Sequence, residues 1–213
     1  MLNKNNYYYC NITVITNNNE LIKNVNEFGK KIELENIKDK EFYDDLLITD
    51  YYPIVNANSP ENAKVIIVAN DIDNYIPDKN KYNIQFHNGN RIDGFDAYIY
   101  CDNYKDAIMD IIRLAYGAGL VSIDLDDVVK FTYGKTLHYY RYTIDSPIST
   151  NKIKELVNVN NNSIIILYGS KNLSSSEIYK ALDTLKNIAY YIAVKIDDTI
   201  QEDKRVLSMF LQE

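Results

Sequence analysis

The stretch from Gly119 to Val128, GLVSIDLDDV, opens on a glycine, runs through the apolar residues Leu120, Val121 and Ile123, and then brings three carboxylates together at Asp124, Asp126 and Asp127. Read locally, Asp124 is the N-cap of a short helix reaching Val129, because a carboxylate in that position accepts an amide N–H of the first turn. Asp126 and Asp127 then fall in that turn, where the helix dipole favours negative charge. Capping alone accounts for the residue types.

Upstream of this stretch, Ile108, Ile111, Ile112 and Ala115 mark one apolar stripe of a helix from about Tyr104 to Tyr116 that stops at Gly117. Before it the chain alternates. Tyr9 to Ile15 reads as a strand, Asn17 to Asn19 as a turn, and Leu21, Ile22, Val25 and Phe28 as a helix that Gly29 is placed to end. Ile32 to Leu34 then reads as a short second strand. Lys64 to Ala69, KVIIVA, is a continuous apolar run of the kind a parallel sheet buries on both faces. A polar turn over Asn70 to Asn80 and strands at Tyr82 to Phe86 and Phe95 to Cys101 complete this half, while 39–60 carries no assignable pattern.

Downstream, Lys135 to Ile144 alternates as a strand, Lys152 to Val157 reads as a short helix and Ser163 to Tyr168 as a buried strand. Ser174 and Glu177 form a capping-box pattern ahead of a helix with Ile178, Ala181, Leu182 and Leu185 on its core face. Ala189 to Ile196 and Arg205 to Leu211 are expected to pair as a closing hairpin. The pattern as a whole is α/β: an N-terminal parallel-sheet subdomain over 1–103, a connecting core helix over 104–118, and a C-terminal mixed-sheet α+β subdomain over 119–213.

The 213 residues carry a formal charge of -7 with a pI near 4.9, so phosphate-rich partners are repelled and no nucleic acid is expected. Lys4, Lys30, Lys31, Lys38 and Lys40 are interspersed with acids and build no basic face. The longest apolar runs are strand-sized, which predicts no direct membrane insertion and a cytoplasmic chain. Cys10 and Cys101 fit neither a metal spacing nor a disulfide framework. His87 and His138 have no neighbours that suggest a triad or a metal, and the twenty tyrosines are most simply packed strand residues. Gly134, Lys135 and Thr136 spell the end of a phosphate loop, but Val129 stands where its first glycine is required and a strand follows instead of a helix.

GLVSIDLDDV resembles the synergy loop of the FtsZ/tubulin family, close to GLINxDxxDV in FtsZ, with Asp124 and Asp127 on its two acidic positions and Ser122 in place of the usual Asn. SIIILYGSKNLSSSEI, from Ser163 to Ile178, is similar to the family's strand, Gly-Gly-Pro-Asp-Leu turn and serine-capped helix; Gly169 and Leu173 match, while Ser170 and Lys171 replace the second Gly and the Pro. AVKIDDTIQEDKRVLSMFL looks like the family's terminal segment. Together these cover about 95–213. The resemblance implies a shortened FtsZ/tubulin-like fold, because between KVIIVA and FDAYIYC there is room only for one strand and turns where the family places two helices and a strand.

The family holds guanine nucleotide with glycine-rich turns after the first strand and after the strand that KVIIVA resembles. Here those turns are TNNNE and NDIDNYIPD, free of glycine, and Asp71 and Asp73 are set against a triphosphate. In the family the loop carboxylates reach the nucleotide of the neighbouring subunit; here Gly119, Leu120, Ser122, Asp124, Asp126 and Asp127 are expected to form an interaction face. The expectation is a protein that is no enzyme and needs no cofactor, and whose partner is a protein, either FtsZ or a second copy of itself. It would act in bacterial cell division or the cytoskeleton by capping or modulating FtsZ-type filaments. A nucleotide-independent homodimer or filament and a divergent GTPase are the alternatives.

Overall fold

The structure, a computed structural model, describes residues 11–42, 55–61, 63–116, 119–121, 123–146, 149, 151, 155 and 162–212, and for 33–42 and 119–121 the backbone path alone. One ten-stranded sheet organises it, in the order β2-β1-β3-β4-β5-β7-β10-β8-β9-β6. The first half holds β1 (Ile12–Ile15), β2 (Val55–Ala57), β3 (Val65–Val68), β4 (Tyr82–His87) and β5 (Ala97–Tyr100), all parallel. The second holds β6 (Gly119–Val121), β7 (Thr136–Asp145), β8 (Ser163–Gly169), β9 (Tyr191–Ile196) and β10 (Lys204–Gln212) and is mixed. The halves join where β7 pairs in parallel with β5, Ile99 opposite Leu137.

Helices α1 (Asn19–Phe42), α2 (Tyr104–Tyr116) and α3 (Leu125–Thr132) cover one face of the sheet and α4 (Ser175–Leu185) covers part of the other. The α1–α3 side closes a single core that takes in Leu21 and Val25 of α1, Ile108 and Ile111 of α2, and strand residues from Ile12 to Phe210. Opposite it, α4 packs Ala181 and Leu185 on Leu167, Val194 and Leu207. The turns carrying Ile72, Tyr75 and Phe95 cover Ile66, Val68 and Tyr98. KVIIVA therefore has cover on both faces, as its unbroken apolar run predicts, and all four β3 residues are buried. Between β3 and β5 stand only β4 and turns.

Two buried polar clusters tie α2 and α4 to the second half. Asp110 of α2 is fully buried and accepts from Tyr139 Oη at 2.6 Å, Tyr168 Oη at 2.8 Å and Arg141 Nη1 at 2.7 Å. Ser174 Oγ accepts the Glu177 N–H at 3.2 Å, one half of the expected capping box. The Glu177 carboxylate instead takes Arg205 Nε and Nη2, each at 3.0 Å, a bidentate pair that leaves no bare charge at that depth.

Four sequence expectations are corrected. Gly29 does not end α1, which runs through it to Phe42, and Ile32 to Leu34 belongs to this helix and not to a strand. Gly29 serves a close approach: a Cβ there would stand 2.0 Å from the Val55 carbonyl oxygen of β2. The closing hairpin does not form. β9 pairs in parallel with β8, and β10 inserts antiparallel between β8 and β7. The seven residues of β8 are all buried, and such a strand requires a partner on each edge, which β9 and β10 supply. Gly119–Val121, read as loop, is the edge strand β6 on β9. The helix expected over 152–157 lies, but for Glu155, outside the described residues, as do Tyr9, Cys10 and Gly117.

Candidate functional site

The order of the parallel half reverses at β1, which pairs β2 on one edge and β3 on the other. In open α/β sheets ligands bind outside the carboxyl ends of the strands at this switch point. Here the two turns that leave β1 and β3 meet at that point. Thr16 Oγ1 donates to Asp71 Oδ2 at 2.8 Å, and the Asn17 backbone N–H donates to the same oxygen at 3.1 Å. Asn17 Nδ2 returns to the Asp71 carbonyl at 3.2 Å.

The start of α1 is equally occupied. Asn18 Oδ1 accepts the Leu21 N–H at 3.0 Å, Thr16 Oγ1 accepts the Asn18 N–H at 3.1 Å, and Asn18 Nδ2 donates to Tyr104 Oη at 3.3 Å. Tyr104, at the head of α2, in turn donates to Asp71 Oδ2 at 3.4 Å; burial, then the Asp71 charge, raise its phenol above the ordinary range. Asn58, after β2 with φ of 55°, exchanges two 3.0 Å bonds with the Thr16 backbone. A helix N-terminus draws an anion to its free N–H groups. In this chain the Asp71 carboxylate lies just ahead of that terminus, on the Asn17 N–H two residues before α1 begins.

The 119–128 segment lies at a second place, under β9. Asp124 caps α3 as its spacing predicts, accepting the Asp127 N–H at 2.8 Å. Asp127 Oδ1 accepts from Tyr191 Oη of β9 at 2.9 Å, and burial followed by this bond pushes the Tyr191 phenol up to about 12. Asp126 pairs with Lys130 one turn on. Gly119 and Leu120 contribute backbone to β6, while Ser122 lies outside the described residues. Asp124 and Asp127 are thus brought together, and each has a partner within its own chain.

Other sequence readings settle in the packing. His87 is buried and its Nδ1 accepts the Gly89 N–H at 3.3 Å; His138 stacks on Tyr140 at 6.4 Å. The buried Cys101 thiol is pushed up to about 12 by desolvation and then by Asp102. Gly134, at φ of 70°, turns the chain from α3 into β7. Sequence reading passed over Thr16, Asn58 and Tyr104. Thr16 stands 55 positions from Asp71 and Asn58 stands 42 from Thr16, so no local spacing could signal their contact.

No family model matches the chain, and no curated protein matches it in sequence. Solved structures do match. An empty FtsZ dimer from M. jannaschii is similar at TM-score 0.54 and 9% identity, over 95% of this chain and 88% of that one. A CetZ from Methanosaeta thermophila is similar at TM-score 0.52 and 14% identity, over 96% and 87%. Among the described residues no helix is long and apolar enough to cross a membrane, and no group of three or more His, Cys, Asp or Glu could hold a metal ion. The ten-stranded sheet, with its parallel and mixed halves, has the FtsZ/tubulin-like fold.

Proposed function

We propose that the chain is a cytoskeletal protein that acts in the cytoplasm through protein contacts and hydrolyses no nucleotide. The observation that carries this reading is Asp71, whose carboxylate takes the Asn17 N–H and the Thr16 hydroxyl at the head of α1. A phosphate entering there would meet a fixed negative charge and donors already engaged. The 119–128 face, with Asp124, Asp126 and Asp127, is then an interface element. A subunit that offers this face to the last member of an FtsZ-type filament and presents no nucleotide to the next one would cap it.

Charge favours a different protein over a second copy in that arrangement. Head-to-tail stacking of this chain would bring Asp124, Asp126 and Asp127 towards Asp71 and the exposed Asp73, acid against acid. The test is calorimetry with GTP and GDP on the wild-type chain, beside sedimentation and GTP turnover of FtsZ in its presence. The expected result is no heat with either nucleotide and less pelleted FtsZ. Micromolar GTP binding would return the divergent GTPase, and an unchanged FtsZ pellet and turnover would remove the capping reading. The homodimer remains the second reading, favoured by the dimer among the similar structures. Light scattering that rises with protein concentration and ignores GTP would select it.

A further inference from the structure

β5 pairs β7 only as far as Tyr100 opposite His138, while β7 runs on to Asp145. Alternate residues of a strand turn their backbone groups to opposite neighbours. Lys135 accepts the Tyr98 N–H on the β5 side and Ser146 donates to the Asp203 carbonyl on the β10 side, so odd-numbered residues face β5 and even-numbered ones face β10. The register with β10 is unbroken from Leu137 to Asp145. Arg141, Thr143 and Asp145 therefore point their backbone N–H and C=O groups past the end of β5, and among the described residues no strand pairs that edge. A row of backbone groups of this kind is a template for another extended chain.

The two faces beside the edge differ in chemistry. Tyr139 and Arg141 reach Asp110 of α2, so odd-numbered side chains lie on the α2 side and even-numbered ones on the other. On that other side Tyr140 and Tyr142 stand 6.4 Å apart with their rings within 9° of parallel, and Tyr140 is 41% exposed. On the α2 side each cation already has a carboxylate: Arg141 meets Asp110 at 2.7 Å, and Lys204 meets Asp145 at 2.6 Å. Asp106, 4.0 Å from Arg141 Nε and half exposed, and Asp102, exposed two residues beyond β5, add negative charge to these pairs.

We infer that the open edge of β7 takes an added strand from a partner protein, an extended segment that alternates basic and apolar residues. Backbone pairing with Arg141, Thr143 and Asp145 supplies the attachment. Because side chains alternate across a strand, the basic residues fall on the α2 side against Asp102, Asp106 and Asp145, and the apolar ones pack on Tyr140 and Tyr142. A second copy of this chain fits less well, since its own β7 edge would bring the same carboxylates, acid against acid, on a chain of formal charge -7. The edge lies outside 119–128 and is independent of the capping reading.

The experiment titrates the full wild-type chain into a dye-labelled, end-capped peptide, Lys-Val-Lys-Val-Lys-Val-Lys, followed by fluorescence anisotropy, and maps amide exchange with and without it. Binding should slow exchange at Arg141, Thr143 and Asp145 by roughly tenfold or more and leave Tyr142 and Ile144, already bonded to β10, unchanged. Glutamate in place of every lysine should weaken binding by roughly tenfold or more. In an added strand one alternate set of peptide amides faces β7 and the other faces solvent. N-methylating the valines in one peptide and the inner lysines in another should therefore abolish binding in one case and spare it in the other. Equal loss with both methylated peptides, equal affinity for the glutamate peptide, or protection that falls elsewhere would overturn the proposal. Slow exchange of the Arg141, Thr143 and Asp145 amides without peptide, at any protein concentration, would show the edge already taken by this chain or a second copy, and would also overturn it.

Discussion

Asp71 holds two turns together with one carboxylate, and its worth follows from the donors it gathers. Substituting Asp71→Ala strands the Thr16 hydroxyl and the Asn17 N–H, and should lower unfolding stability by about 1–2 kcal/mol in denaturant titration. Lys195 works in the opposite sense. Its folded value of about 8 lies below the 10.5 of an exposed lysine, so between the two the unfolded chain binds more protons. Stability therefore rises with pH through that window, and below it the cost of burying the charge is present in full. Replacing the amine with an apolar group of similar length, Lys195→Met, should flatten the rise in stability between about pH 8 and 10.5. Chemical denaturation at pH 7 and pH 10 checks both.

Among the elements, α1 and α3 depend on different kinds of residue. Where α1 crosses β2, a Cβ on Gly29 meets a backbone oxygen that cannot rotate away, so Gly29→Ala should cost about 1–3 kcal/mol and loosen β2 first, visible as faster amide exchange over 55–57. At α3 the cap is the vulnerable point. Removing the Asp124 side chain leaves the Asp127 N–H without its acceptor, and Asp124→Ala should cost about 1 kcal/mol by thermal or chemical unfolding. The cap was legible in the sequence because it acts over three positions. The role of Gly29 was not, because a glycine required by a neighbouring strand and one that ends a helix look the same along the chain.

The whole molecule is held by α2 and the sheet it lies on. Asp110 gathers donors from β7 and β8, and Arg141 also reaches Ser208 of β10 at 3.1 Å, so one carboxylate joins the helix to the mixed half. Asp110→Asn removes the charge but leaves Arg141 in place, and should cost about 3 kcal/mol, as breaking a buried ion pair does. Since the core runs from Ile12 to Phe210, unfolding should stay one cooperative step, with fluorescence and circular dichroism transitions of the variant coinciding. The core face of α2, the burial of β3 and β8 and the cap of α4 could be read from periodicity. Strand partners in the second half could not, since β9 and β10 are adjacent in sequence but are separated by β8 in the sheet.

By itself, the sequence determined the types of α2, α3, β3 and β8, the capped start of α3 and the absence of glycine from the turns after β1 and β3, because those properties depend on neighbours within a few positions. Tertiary structure alone decided that Asp71 would seat on Thr16 and Asn17, that Glu177 would meet Arg205, and that Lys195 would line a cavity. These contacts join residues brought together by strand order, and strand order is set by burying the whole sheet at once, a condition no local stretch of the chain contains.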